Sequence, residues 1–215
     1  MNDVKNKKLK KKMIIAIIIA VSLIPVFMGI SYAIEMYNLK KIMVEPEPID
    51  YDFYPVDYEE NIYEDEEYLS LMEYGYIYYT DASVTLGIQR ENANSYGDDI
   101  EFIVEYIYKI IEGKTEEYNG CFSDLYYKYH KRHERFTMQK LYDINLTKVS
   151  ETTVTDKNGS YAEYKFELSY RILKNNGSFR SDIGDGSKKQ YITVTDRDGK
   201  LLIDSLTTAT TIVQK

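Results

Sequence analysis

The chain has 215 residues and sets 27 Lys and Arg against 35 Asp and Glu, a formal net charge of −8. Its one cysteine, Cys121, excludes any disulfide within the chain, so the fold must rest on packing. Charge is unevenly placed: residues 1–12 carry +5 (six Lys, one Asp), residues 35–79 carry −11 (two Lys, thirteen Asp or Glu), and residues 80–215 carry only −2. That last stretch suits one hydrophobic core, is too small for two, and offers no broad basic surface for nucleic acid.

Met13 to Ile34 contains no charged residue over 22 positions. A bilayer core of ~30 Å needs ~20 helical residues, so this run predicts a membrane-spanning helix in which Pro25 produces at most a kink. The lysines ahead of it, Lys5, Lys7, Lys8, Lys10, Lys11 and Lys12, place residues 1–12 in the cytoplasm and everything after Glu35 outside. A cleaved signal peptide is the competing reading, because Ser31, Tyr32 and Ala33 form a small-x-small site. Signal cores run about 7–15 residues, and the greater length here favours a retained anchor. No cysteine follows the run, which excludes a lipoprotein. The expected localisation is a single pass in the cell membrane, N-terminus cytoplasmic and C-terminal domain extracellular.

Residues 35–79 follow. From Glu45 to Tyr68, "EPEPIDYDFYPVDYEENIYEDEEY" has no Lys or Arg and no periodicity that would place a core face. Prolines and mutual repulsion predict a solvated stalk. A second reading makes it an interaction segment. Nine tyrosines lie between Tyr51 and Tyr79, and an acidic, aromatic strand of chain can fold onto a basic partner. Ordered structure is expected to begin in "LSLMEYGYIYY", with the domain boundary near Thr80.

Within residues 80–215, "DDIEFIVEYIYKIIEGK" predicts a helix. Ile100, Ile103, Val104, Ile107, Ile110 and Ile111 share one face, Asp98 and Glu101 suit a capping box, and Gly113 provides the stop. A second helix is expected to carry Phe122, Leu125, Tyr126, Tyr129, His133 and Phe136 on one side. After Thr137 the period changes to two. Ala162, Tyr164, Phe166, Leu168, Tyr170 and Ile172 alternate with polar residues, which predicts a long antiparallel strand with one buried face. Further strands are expected at Ile144–Val154, Gln190–Thr195 and Leu201–Val213. "VTDKNG" and "VTDRDG", at Val154–Gly159 and Val194–Gly199, read as hairpin turns; their glycine comes fourth, where a calcium loop of the EF-hand type needs it sixth.

The isoleucine-rich helix running into "IIEGKTEEYNGCFSDLYY", followed by antiparallel strands, resembles the nuclear-transport-factor-2-like superfamily. That resemblance implies an α+β fold in which, after the transmembrane helix, two helices pack on a curved antiparallel sheet of about four strands, a cystatin-like cone. Membrane-anchored members resemble assembly subunits of type IV secretion and Gram-positive conjugation systems. An exported domain with no possible disulfide also suits a Gram-positive bacterium, where the triplets at Asn145, Asn158 and Asn176 would be incidental. The implied function is a non-enzymatic scaffold subunit with protein partners in an envelope complex, as a homo-oligomer, without nucleic acid. An exported ligand-binding or isomerase-like domain using the cone as a pocket is the alternative.

Candidate chemistry is sparse, and no catalytic, cofactor-binding or metal residue is assigned. His130 and His133 are three apart, but zinc needs three or four protein ligands and only Cys121 is a nearby thiol. Lys128, Lys131, Arg132 and Arg135 form a short basic patch, read as a solvated face. Isomerases of the resembled superfamily place an acidic base and a tyrosine in the cone, which singles out Asp204 with Tyr164 and Tyr170; inward tyrosines are expected to be core filling. "DIGDGSKK" at Asp182–Lys189 does not open a helix, so it is no phosphate loop. No cofactor is expected.

Overall fold

The computed structural model describes residues 51–72, 75–157 and 159–209. The cytoplasmic tail 1–12, the expected span 13–34, residues 35–50 and the predicted strand end after Ala209 lie outside them. Among the described residues no helix is long and apolar enough to cross a membrane. The expected single-pass placement in the cell membrane is corrected on that finding: the described fold contains no spanning helix.

In chain order, helix α1 (Glu66–Leu71) precedes a hairpin of β1 (Ile77–Asp81) and β2 (Val84–Ile88). A 3-10 stretch, Arg90–Tyr96, leads into α2 (Asp98–Ile111), and two short helices follow, α3 (Thr115–Asn119) and α4 (Asp124–Tyr127). The chain then runs as a meander through β3 (Leu141–Asp156), β4 (Gly159–Ile172), β5 (Gln190–Arg197) and β6 (Lys200–Thr208). One sheet results, ordered β2-β1-β3-β4-β5-β6. β1 runs parallel to β3, with Tyr78, Tyr79 and Thr80 beside Asn145, Leu146 and Thr147; every other pairing is antiparallel.

The expected fold class, two helices on about four antiparallel strands, is therefore corrected to α+β with six strands in a mixed sheet. The four meander strands occur where alternation placed them. The extra pair escaped because its turn has no sequence signature. Ala82 and Ser83 both adopt positive φ (43° and 76°), a conformation usually filled by Asn-Gly and costing other residues roughly 1–2 kcal/mol each. β1 also runs through the boundary expected near Thr80. Upstream of it, Ile62 and Tyr68 are core residues, so the described part of the acidic segment contributes to the core while most of its side chains stay exposed.

α2 buries the whole predicted isoleucine face. Its N-terminus differs from the expectation: Gly97 is the cap and no side chain caps it, leaving Asp98, Asp99 and Glu101 to act through their charge on the helix dipole. Its C-terminus is a Schellman turn, in which Gly113 N–H donates to Ile110 O (3.2 Å) and Lys114 N–H to Lys109 O (2.9 Å). Gly113 has φ +65°, and a Cβ there would lie 2.8 Å from the backbone N of Met138. Gly113→Ala is therefore expected to cost at least about 2 kcal/mol in urea unfolding, from backbone strain plus the clash. A loss under about 0.5 kcal/mol would show that the turn is not held this way.

The second predicted helix is broken. Cys121 O accepts from Ile203 N–H (2.8 Å) and Ser123 N–H donates to Ile203 O (3.0 Å), so this backbone bonds to β6 instead of to its own helix. Residues 128–140 are irregular, and Phe136 reaches the core from there. The hairpins also differ by one residue: β5–β6 turns on Asp198-Gly199 between paired Arg197 and Lys200, whereas β3–β4 closes on paired Asp156 and Gly159.

Candidate functional site

The space between α2 and the sheet, where a cone pocket was the alternative expectation, is occupied by rings. Tyr118 stacks on Tyr106 with centroids 5.3 Å apart, and it meets Phe122, His133, Phe136 and Phe179 edge-on at 5.1–5.5 Å. Phe179 arrives from the β4–β5 connection, which also brings Arg180 against the fully buried Tyr170. Arg180 is held by both oxygens of Asp182 (2.6 and 2.7 Å) and donates to Tyr170 Oη at 3.4 Å. Tyr106 Oη is buried beside Tyr118, and burial raises its pKa well above the usual phenol value.

Two cavities flank this core. One holds about 10 Å³ and is lined by polar groups including Glu60, Lys140 and Lys174. The other, about 210 Å³, is lined by Leu71, Met72, Gly75, Tyr76, Tyr78, Tyr142 and Asp143. Neither includes a residue of α2.

The residues singled out by sequence fall into separate environments. His133 lies in the aromatic core, where burial pushes its pKa down, and its backbone is fixed by Asn119 through N–H···Oδ1 and Nδ2–H···O contacts of 3.0 Å. His130 stacks on Tyr126 (4.2 Å) at the surface. Cys121 is buried, its thiol directed at Glu117 O (3.4 Å) and pushed up to about 11 by burial. No group of three or more His, Cys, Asp or Glu among the described residues is arranged to hold a metal ion. Asp204 accepts from Thr195 Oγ1 (3.2 Å) with Arg197 at 3.8 Å. Tyr164 lies beneath Lys148 (5.1 Å), and Tyr170 pairs with Arg180, so the three candidates for isomerase chemistry have unrelated partners. In the basic patch, Arg132 covers Tyr127 (4.3 Å) and Arg135 covers Tyr58 (4.4 Å).

Tyr58 belongs to the acidic segment, which contacts basic residues of this same domain. Tyr58 Oη donates to Arg135 O (3.1 Å), and Tyr54 N–H to Asn175 O (3.0 Å). Lys140, only 4 % exposed at its side chain, donates to Glu60 (2.5 Å) and Asp65 (2.6 Å), and Lys174 donates to Asp65 at 2.9 Å. Burial opposes the charge on Lys140, but the contacts from Asp65 and Glu60 outweigh it and raise its pKa.

What remains open is the hairpin end of the sheet. Tyr78 (47 %) is exposed on one face with Leu71 and Tyr76 beside it, and Val84 (60 %) and Leu86 (43 %) are exposed on the other; the Tyr76 ring lies over Gly87, where a Cβ would approach it to 3.1 Å. β2 is a terminal strand of the sheet, and no strand of the described residues pairs with its outer edge. The opposite edge, β6, is met at Ile203 by Cys121–Ser123. Sequence reasoning included Tyr76 and Tyr78 among the nine tyrosines of the alternative interaction segment but did not anticipate the strand β2 beside them. The available signal was the uncharged run Ala82–Ile88 after a tyrosine cluster.

No protein-family model matches the chain, and neither the curated proteins nor the solved structures yield a match. None of the comparisons identifies the nuclear-transport-factor-2-like superfamily that the sequence resembles.

Proposed function

We propose that this protein is a non-catalytic interaction subunit whose folded domain binds protein through the hairpin end of its sheet. The observation that carries the reading is an open strand edge with exposed Leu71, Tyr76 and Tyr78 on one face of the hairpin and exposed Val84 and Leu86 on the other. Tyrosine and aliphatic side chains grouped in this way are typical of protein contact surfaces. An open edge adds main-chain donors and acceptors that a partner strand can take up. The ring-filled interior further supports binding at the surface over chemistry in a pocket. The resemblance to assembly subunits of secretion and conjugation systems agrees with a role inside a larger complex.

A photo-reactive phenylalanine analogue installed at Tyr78 of the full-length chain, and separately at Tyr129, tests this in the cells that make the protein. Tyr129 is more exposed still but lies beyond α4. Protein adducts of defined mass are expected from position 78 and not from position 129. Equal labelling from both sites, or none from 78, would overturn the reading.

A further inference from the structure

We infer that the partner at the hairpin edge is a second copy of this chain, joined β2 to β2 in antiparallel register about a two-fold axis at Leu86. This rests on the hairpin end being the interaction surface and names its occupant.

The two ends of the sheet are treated differently by the fold. At β6 the outer edge is occupied at Ile203, which exchanges backbone hydrogen bonds with Cys121 and Ser123. At β2 no described residue does this. Exposed edges are ordinarily protected by lysines, prolines or bulges, since a bare edge pairs with other chains. β2 has none of these. Ala82–Ile88, "ASVTLGI", carries neither charge nor proline, and β1 and β2 pair in unbroken register from Ile77↔Ile88 to Asp81↔Val84.

Self-pairing sets strict electrostatic terms. An antiparallel two-fold contact places each side chain close to its symmetry mates, and like charges directly opposite are destabilising. An uncharged strand meets that condition.

Geometry selects the register. In a hairpin with a two-residue loop, Asp81 and Val84 form a hydrogen-bonded pair, so Val84, Leu86 and Ile88 turn their backbone groups to β1. Thr85 and Gly87 turn theirs outward. Pairing all five residues of β2 with a copy then sets Thr85 against Gly87 of the second copy and Val84 against Ile88, with Leu86 facing its own mate on the axis. Leu86 sits on the α2 side of the sheet, since its register partner Tyr79 is buried there. The contact therefore covers Leu86 and Val84, the exposed aliphatic pair that the monomer leaves unexplained, and extends the sheet from six strands to twelve.

The full-length chain is expected to sediment as a dimer. Leu86→Lys and Leu86→Glu, at a solvent-facing position, should each keep the cooperative circular-dichroism melt of the parent while sedimenting as monomers. An equimolar mixture of the two should recover the dimer, because opposite charges then meet on the axis. Independently, Leu86→Cys should form a covalent dimer under mild oxidation: non-hydrogen-bonded antiparallel partners have Cα atoms about 4.5 Å apart, within disulfide range. Tyr129→Cys should not. A monomeric parent chain, a Leu86→Lys variant that stays dimeric, or failure of Leu86→Cys to cross-link would overturn the inference. A monomer that still gives adducts to other proteins from position 78 would remove self-pairing and leave the broader reading intact.

Discussion

Tyr118→Ala is expected to lower the stability of the domain by about 3–5 kcal/mol, the range for deleting a large buried aromatic. Set against a typical domain stability of about 5–15 kcal/mol, that loss brings the fold close to its limit. Tyr118 is the point at which separate parts of the chain meet. Its ring contacts Tyr106 from α2, Phe122 from the segment bonded to β6, His133 and Phe136 from the irregular stretch, and Phe179 from the β4–β5 connection. Those neighbours are fixed by other contacts. Phe136 N–H donates to Thr115 Oγ1 (3.2 Å), and His133 N–H to Asn119 Oδ1 (3.0 Å). They cannot simply collapse into the space, so the cavity term adds to the lost burial. Urea unfolding at neutral pH measures the loss, with Tyr129→Ala, at a position 81 % exposed, expected within about 0.5 kcal/mol of the parent. Equal effects from the two variants would mean that the ring cluster is not the centre of the core.

Asp65→Asn is the second large effect, expected at about 3 kcal/mol. Asp65 does two things. Its Oδ1 accepts from the backbone N–H groups of Glu67 (3.0 Å) and Tyr68 (3.2 Å) and so caps α1, while Oδ2 receives Lys140 and Lys174. The amide preserves the cap and removes the charge. Lys140 would then remain nearly enclosed with only Glu60 for company, and removing one member of a buried ion pair costs about 3–5 kcal/mol. Partial solvent access to Glu60 places the expectation at the lower end. The same contacts make stability depend on pH. Hydrogen bonds from Lys140 and then Lys174 hold the Asp65 carboxyl well below its ordinary value of 3.8. A depressed carboxylate contributes stability that is fully present above the unfolded pKa and is lost as pH falls through the folded one. The parent chain should therefore weaken steadily below about pH 4, and Asp65→Asn should show a shallower loss there. Parallel pH dependences in parent and variant would separate Asp65 from the acid response.

Both effects depend on parts of the molecule that differ in how plainly they are written. α2 was legible down to its stop, because Ile100, Ile103, Val104, Ile107, Ile110 and Ile111 repeat at helical spacing and Gly113 takes a φ that few other residues accept. β4 was legible for the same reason at period two. Its residues Phe166, Leu168, Tyr170 and Ile172 all face the core, and the Asp-Gly at residues 198–199 marks the turn between β5 and β6. Of the candidate surface, only the tyrosines were visible, as part of the alternative interaction segment, and β2 was not anticipated.

The acidic segment shows why. Read alone, Glu60, Asp65 and Glu67 are charges that repel, and the segment has no periodic apolar face. Lys140 and Lys174 turn it into packed structure from 75 and 109 residues away from Asp65. The break after α3 has the same origin, since Cys121 and Ser123 bond to Ile203 on the far edge of the sheet.

Periodicity records which side of a segment avoids water, and that is a local property. The sequence by itself determined α2, the four strands of the meander and the aromatic, aliphatic character of the core. Which remote segments meet leaves no periodic trace. The added hairpin β1–β2, the docking of residues 51–72 and the unpaired outer edge of β2 among the described residues were therefore decided only when the chain closed on itself.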